Sequence, residues 1–268
     1  METWSENMNR YEGRRVLITG AGSGIGQATV LRVLAEGGNV VAADISEPGL
    51  ADTVQKAGTV ADRLTTLVLD ISDEASVRDA VASAVSVLGG LDVLVNAAGI
   101  LRSAHSHEMS LADFNKIISI NLTGTFLMIR EAIPALLEGN SAAVVNFSST
   151  SAAFAHPYMA AYAASKGGIQ SMTHTLASEY GKRGIRFTAV QPGSISSGMT
   201  DGSGASRSSV GPGLPADADM SLFAKLSPAI GEGYAGPETV ASVVAMLGSD
   251  DGKFITGTEV RIDGGTHF

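Results

Sequence analysis

Arg15-Val-Leu-Ile-Thr19, then Gly20-Ala-Gly-Ser-Gly24-Ile-Gly26, then residues 27–36: a β-branched run, a glycine turn and a helix-favouring stretch follow one another without a break. A strand–turn–helix unit of this kind aims backbone N–H groups and a helix N-terminus at one point, an arrangement suited to a pyrophosphate. Glycine is needed there because a Cβ would block both the phosphate oxygens and the neighbouring strand. The spacing Gly20-x-x-x-Gly24-x-Gly26 is not G-x-G-x-x-G, and a glycine cluster by itself is often only a turn. Its place between a strand and a helix is what gives it meaning.

The next strand-like run, Asn39-Val-Val-Ala-Ala-Asp44, ends in an acid 18 residues after Gly26. That is close to the roughly 20 at which a carboxylate binds the adenosine ribose hydroxyls. A carboxylate there accepts from a free 2′-hydroxyl and repels a 2′-phosphate. No Lys or Arg lies between Val40 and Leu50 or between Gly20 and Gly26, so NAD is favoured over NADP. The alternative for Asp44, a helix N-cap, is weakened by Ser46, which precedes Pro48 and suits that role better.

Further along, short apolar runs keep alternating with longer helical patterns, which predicts parallel strands joined by crossover helices. Strands are expected at 66–70, 91–96, 142–148, 185–190 and 254–262, and helices at 74–88, 111–137 and 237–247, with another that carries Tyr162 and Lys166 and runs to about 180. Asp70, at the end of the third strand, either contacts an adenine ring or caps the next helix. Residues 194–236 are rich in Gly, Ser, Pro and Asp. A loop of that length in a compact domain is tolerated when it is functional. It follows a strand's carboxyl end, so it is expected to form a mobile substrate-binding lid within one domain spanning 1–268.

With 268 residues, 44% of them hydrophobic, the chain can bury a large core. A net charge of −9 without a basic block argues against nucleic acid and anionic membrane as partners. The absence of cysteine removes disulfides, thiolate metal sites and Cys nucleophiles, and fits a cytoplasmic location. The polar start lacks the apolar stretch of a signal peptide, and no unbroken apolar run approaches the ~18 residues of a membrane span. The five histidines show no metal-ligand spacing, so no metal is expected.

One more stretch carries chemistry. Ser149 ends the fifth strand, and Tyr162 and Lys166 follow four residues apart in an Ala-rich helical run, on one helix face. A phenol normally ionises near ~10. A neighbouring ammonium is expected to lower that value toward the working range. A Tyr-x-x-x-Lys pair alone is weak, because most such pairs are a buried ring beside a solvated cation. Beside a hydride-carrier site it becomes specific.

Taken in order, Thr19-Gly-x-x-x-Gly24-x-Gly26, Asn96-Ala-Ala-Gly99, Asn121, Ser149, Tyr162, Lys166 and Pro192-Gly193-Ser-Ile195 resemble the motifs of a classical short-chain dehydrogenase/reductase. The resemblance covers nearly everything from Tyr11 onward. It implies an α/β, Rossmann-type doubly wound parallel sheet of about seven strands with helices on both faces. It also implies a catalytic set of Asn121, Ser149, Tyr162 and Lys166: Tyr162 exchanges the proton, Ser149 orients the substrate oxygen, Lys166 tunes Tyr162 and binds the nicotinamide ribose, and Asn121 holds a water linking Lys166 to solvent. Asn121 has a plainer alternative, the satisfaction of backbone groups inside its helix. Cofactor contacts are implied at Gly20, Ser23, Gly24, Ile25, Gly26, Asp44, Asp70, Ile71, Asn96, Ala97, Gly99, Tyr162, Lys166, Pro192, Gly193, Ile195 and Ser197. A homotetramer is implied as well.

The function expected is hydride transfer between NAD(H) and a secondary alcohol or ketone of moderate size. An NADPH-dependent 3-oxoacyl thioester reductase is the first alternative, and a catalytically silent dinucleotide-sensing regulator the second.

Overall fold

The computed structural model describes residues 9–200, 211–231 and 233–267. Seven strands form one parallel sheet: β1 (Arg15–Thr19), β2 (Asn39–Asp44), β3 (Leu64–Val68), β4 (Val93–Asn96), β5 (Ala143–Phe147), β6 (Arg186–Pro192) and β7 (Thr258–Ile262), in the order β3-β2-β1-β4-β5-β6-β7. The helices are α1 (Gly24–Ala35), α2 (Glu47–Ala57), α3 (Glu74–Leu88), α4 (Leu111–Ile118), α5 (Gly124–Leu137), α6 (Ala160–Tyr180) and α7 (Pro237–Gly248). This is a single Rossmann-type domain, as expected.

The strands are apolar on both faces because both faces are covered. Side chains alternate along a strand. Val16, Ile18, Val40 and Ala42 therefore enter one core layer with Val30, Val33 and Val244 from α1 and α7. Leu17, Val41 and Ala43 enter the opposite layer with Val81, Met128 and Ala132 from α3 and α5. The strand order reverses between β1 and β4. Ligands bind in the crevice such a reversal opens at the strands' carboxyl ends.

Boundaries moved at the sheet edges. β3 was expected at 66–70, but it pairs with β2 from Val40↔Leu64 to Asp44↔Val68 and stops where β2 stops. β7 begins only at Thr258, because Phe254 is 99% exposed and Gly257 takes a φ of +65°. The helix expected at 111–137 is one continuous rod, α4 and α5 joined by a π turn at Ser119–Thr123. No membrane span was expected, yet Leu111–Leu137 has the length and hydropathy of one. Its apolarity serves internal packing: Ile117, Met128, Ile129 and Leu136 are buried, and Arg130 pairs with Glu74 of α3 at 2.6 Å.

Candidate active site

The turn after β1 is shaped by close approach. Gly20 has a φ of +67°, and a Cβ there would lie 2.7 Å from Ala98 N. A Cβ on Gly26 would collide with the Gly20 carbonyl. The cap of α1, Ser23, makes no side-chain capping bond. The first N–H groups of α1 thus lack a side-chain acceptor at their own cap, the donor set that a pyrophosphate needs. A nicotinamide dinucleotide therefore fits the residues present.

Asp44 lies at the other end of this cradle. Its carboxylate accepts from Gly22 N and from Ser46 N, both at 2.9 Å, and still borders the cavity. It does not cap α2; Ser46 does, accepting from Gly49 N at 3.2 Å. Asp70 caps nothing either. Asp73 accepts from Ala75 N and caps α3, whereas Asp70 holds the N–H and hydroxyl of Ser72 and faces the cavity.

The cavity has a volume of about 570 Å³. Of the site residues expected, Gly20, Ser23, Gly24, Ile25, Gly26, Asp44, Asp70, Ile71, Ala97, Gly99, Ser149, Tyr162, Lys166, Pro192, Gly193, Ile195 and Ser197 line it. Two do not. Asn96 is buried in β4, where its amide donates to Asn146 Oδ1 at 2.9 Å. Asn121, fully buried in the π turn, accepts from Ile100 N at 2.8 Å and donates to Ile100 O at 2.9 Å and Ser165 Oγ at 3.1 Å. It pins the loop that follows Gly99 and ties it to α6, so its side chain serves groups outside its own helix.

Ser149, Tyr162 and Lys166 meet on one wall. Both the Tyr162 phenol and Ser149 line the cavity, and Ser149 pulls the phenol pKa down. Ser149 Oγ accepts from Ser151 N at 3.2 Å. Lys166 Nζ donates to Phe147 O at 2.7 Å and lies 5.6 Å from the Tyr162 ring centroid. Ser148 Oγ donates to Lys166 O and so ties α6 to the end of β5.

The electrostatics differ from the sequence-based expectation. Burial pushes the Tyr162 phenol up to about 12, against a smaller downward pull from Ser149. Burial also lowers the Lys166 ammonium to about 8. Desolvation penalises the charged form of each group, and it outweighs any lowering of the phenol by a cation that is turned toward Phe147 O. Desolvation is therefore the largest influence on both groups in this arrangement.

On the substrate side, Met199, Phe223 and His156 stand out in the sequence as candidates, whereas Leu101, Met159 and Leu214 do not. Leu101, Met159 and Tyr162 form a third apolar cluster with Met199, Leu214 and Phe223, apart from both sheet layers. His156 also borders the cavity, its Nε2 3.2 Å from Thr150 Oγ1. Burial, and then His267, bring it down to about 4, so it is neutral near pH 7. Leu101, Met159 and Leu214 lie outside the helices and strands, where no periodicity marks them. Among the described residues no group of three or more His, Cys, Asp or Glu is placed to hold a metal ion.

Residues 14–208 match the short chain dehydrogenase family model. The chain is 38% identical to levodione reductase of Leifsonia aquatica over 269 residues, covering 99% of this chain and 98% of the relative. It is 36% identical to a 3-oxoacyl-(acyl-carrier-protein) reductase of Thermotoga maritima over 256 residues, covering 96% and 98%. Among solved structures, a short chain dehydrogenase from Mycobacterium paratuberculosis bound to NAD superimposes with a TM-score of 0.87 at 30% identity, covering 96% and 98%. One from Burkholderia cenocepacia in complex with NADP gives 0.83 at 30%, covering 96% and 99%. The chain belongs to the short-chain dehydrogenase/reductase family. It is a nucleotide-binding oxidoreductase of the classical type.

Proposed function

We propose that this chain moves a hydride between NAD(H) and a secondary alcohol or ketone, with Tyr162 handling the proton. One observation carries the reading: a buried Ser149–Tyr162 pair with Lys166 alongside shares a cavity with the glycine cradle of α1. The bound nicotinamide supplies the hydride. With its pKa raised, Tyr162 keeps its proton at neutral pH, the form that ketone reduction requires, and donates it to the carbonyl oxygen. Ser149 orients that oxygen through its hydroxyl. The Lys166 ammonium provides positive charge beside the site and a donor for the cofactor ribose. Asn121 acts through the loop it pins rather than by touching substrate.

NAD is the proposed cofactor. Asp44 supports this, and the only cation among the described cavity-lining residues is Lys166. The gathering of Leu101, Met159, Met199, Leu214 and Phe223 beside Tyr162 supports a substrate with an apolar body. Residues 194–200, 211–231 and 233–236 supply part of that wall, in keeping with a substrate-covering role for 194–236. Residues 201–210 and Glu232 of this stretch lie outside the described residues. A homotetramer and a cytoplasmic location complete the reading.

A second reading, an NADPH-dependent 3-oxoacyl thioester reductase, is favoured by the Thermotoga maritima relative. Assaying the purified chain with NADH or NADPH against a panel that includes levodione, simple cyclic ketones and an acetoacetyl thioester separates the two. NADH-driven ketone reduction is expected. Turnover with NADPH and the thioester alone would select the second reading, and cofactor binding without any turnover would point to a silent sensor.

A further inference from the structure

We propose that Tyr158 is a positioning residue that holds the substrate wall of the cavity, Phe223 included, in place beside Tyr162. The proposal rests on the reading of that cavity given above. Tyr158 has a φ of +67°. A bulky residue persists in the left-handed region only where its surroundings over-determine it, and here they do. Its carbonyl accepts from Ala104 N at 2.9 Å. Its hydroxyl oxygen accepts from Asp219 N at 2.8 Å. Its ring stands edge-on to His105, with centroids 5.2 Å apart, and lies near-parallel to Phe223 at 6.1 Å.

Two neighbouring contacts reinforce the same junction. His105 Nε2 is 2.9 Å from Asp217 Oδ1, and Ser103 N donates to Pro212 O at 2.9 Å. Two stretches, 101–109 and 211–223, thus converge on the Tyr158 side chain through His105, Asp219 and Phe223. From this junction Phe223 reaches the apolar cluster that contains Tyr162. Tyr158 does not itself line the cavity, so it is no second proton donor. It acts by fixing the wall against which an apolar substrate would settle.

Hydrogen–deuterium exchange on the full-length chain tests this without needing a substrate. Tyr158→Phe keeps the ring and removes the acceptor for Asp219 N. It is expected to speed exchange in 217–223 about three- to tenfold. Tyr158→Ala should extend the effect to 103–109. In both variants the core peptides of β1–α1 and α6 should exchange as in the wild type. With whichever ketone the wild type reduces best, KM should rise several-fold while kcat and NADH affinity stay within about twofold. Unchanged exchange in both loops overturns the proposal, as does a rise spread equally over the core, or a fall in kcat at constant KM. A wild type that reduces no ketone would count against the proposed function, and the exchange comparison would then decide the role of Tyr158 alone.

Discussion

The two ends of the cavity are built by different means. The cofactor end is made of backbone: the turn from Gly20 to Gly26, the first N–H groups of α1, and one carboxylate fixed at the end of β2 by two N–H donors. The substrate end is made of side chains on loops, drawn together by contacts such as those of Tyr158. Sheet geometry sets the first, and its tolerance for change is small. The second can be rebuilt by exchanging loop residues while the sheet stays as it is, which lets one fold serve many substrates.

The sharpest way to break this contrast is Gly26→Ala. The added Cβ meets the Gly20 carbonyl backbone and cannot be relieved by a side-chain rotation. NADH affinity should fall by about 100-fold, the scale expected of an ångström-level misplacement, in a protein that remains folded by circular dichroism. Affinity close to wild type would show that the cradle is looser than its geometry indicates.

The substrate end has its own signature, in pH. His156 falls from 6.5 to about 4 on burial. The unfolded chain gains a proton on this ring between those values and the native chain does not. The stability tied to neutral His156 is therefore present above pH 6.5 and lost as pH falls through 4. The loss amounts to roughly 3.5 kcal/mol at most, taking ~1.4 kcal/mol per unit, and solvent screening of the partly exposed ring reduces it. Urea unfolding of His156→Gln at pH 7 and pH 4.5 should show a smaller drop between the two than the wild type shows. Equal drops would place His156 in contact with water.

A milder test returns to the cofactor end. Asp44→Asn keeps the acceptor oxygen but removes the charge. NADH binding should weaken by about tenfold, as expected when a charged hydrogen bond becomes neutral, and the preference over NADPH should narrow. An unchanged cofactor ratio would reduce Asp44 to a support for Gly22 and Ser46.

The same contrast explains what could be read from residues alone. Strand β1, the glycine turn, the Ser46 cap and the Tyr162/Lys166 helix face were legible because each follows from local periodicity or from a short motif with one geometric solution. β3 was misplaced by two residues because its limits are set by β2, a non-local partner. The α3 cap was assigned to Asp70 as one of two options, but backbone geometry past β3 gives it to Asp73. Leu101, Met159 and Leu214 belong to the cavity through tertiary folding only, and no pattern in the chain distinguishes them from ordinary loop residues. The burial around Tyr162 was out of reach for a related reason: sequence places Lys166 nearby, but only coordinates show both groups buried and the ammonium donating to Phe147 O.

The measurement that bears most directly on the account is a pair of experiments on Tyr162→Phe, NADH titration and single-turnover ketone reduction. Proton transfer by a positioned side chain contributes ~10²–10⁴-fold. Reduction should slow by that factor, while NADH affinity stays within about twofold of wild type. Near-normal reduction by the phenylalanine variant would contradict the assignment of Tyr162 and, with it, the chemistry proposed for this site.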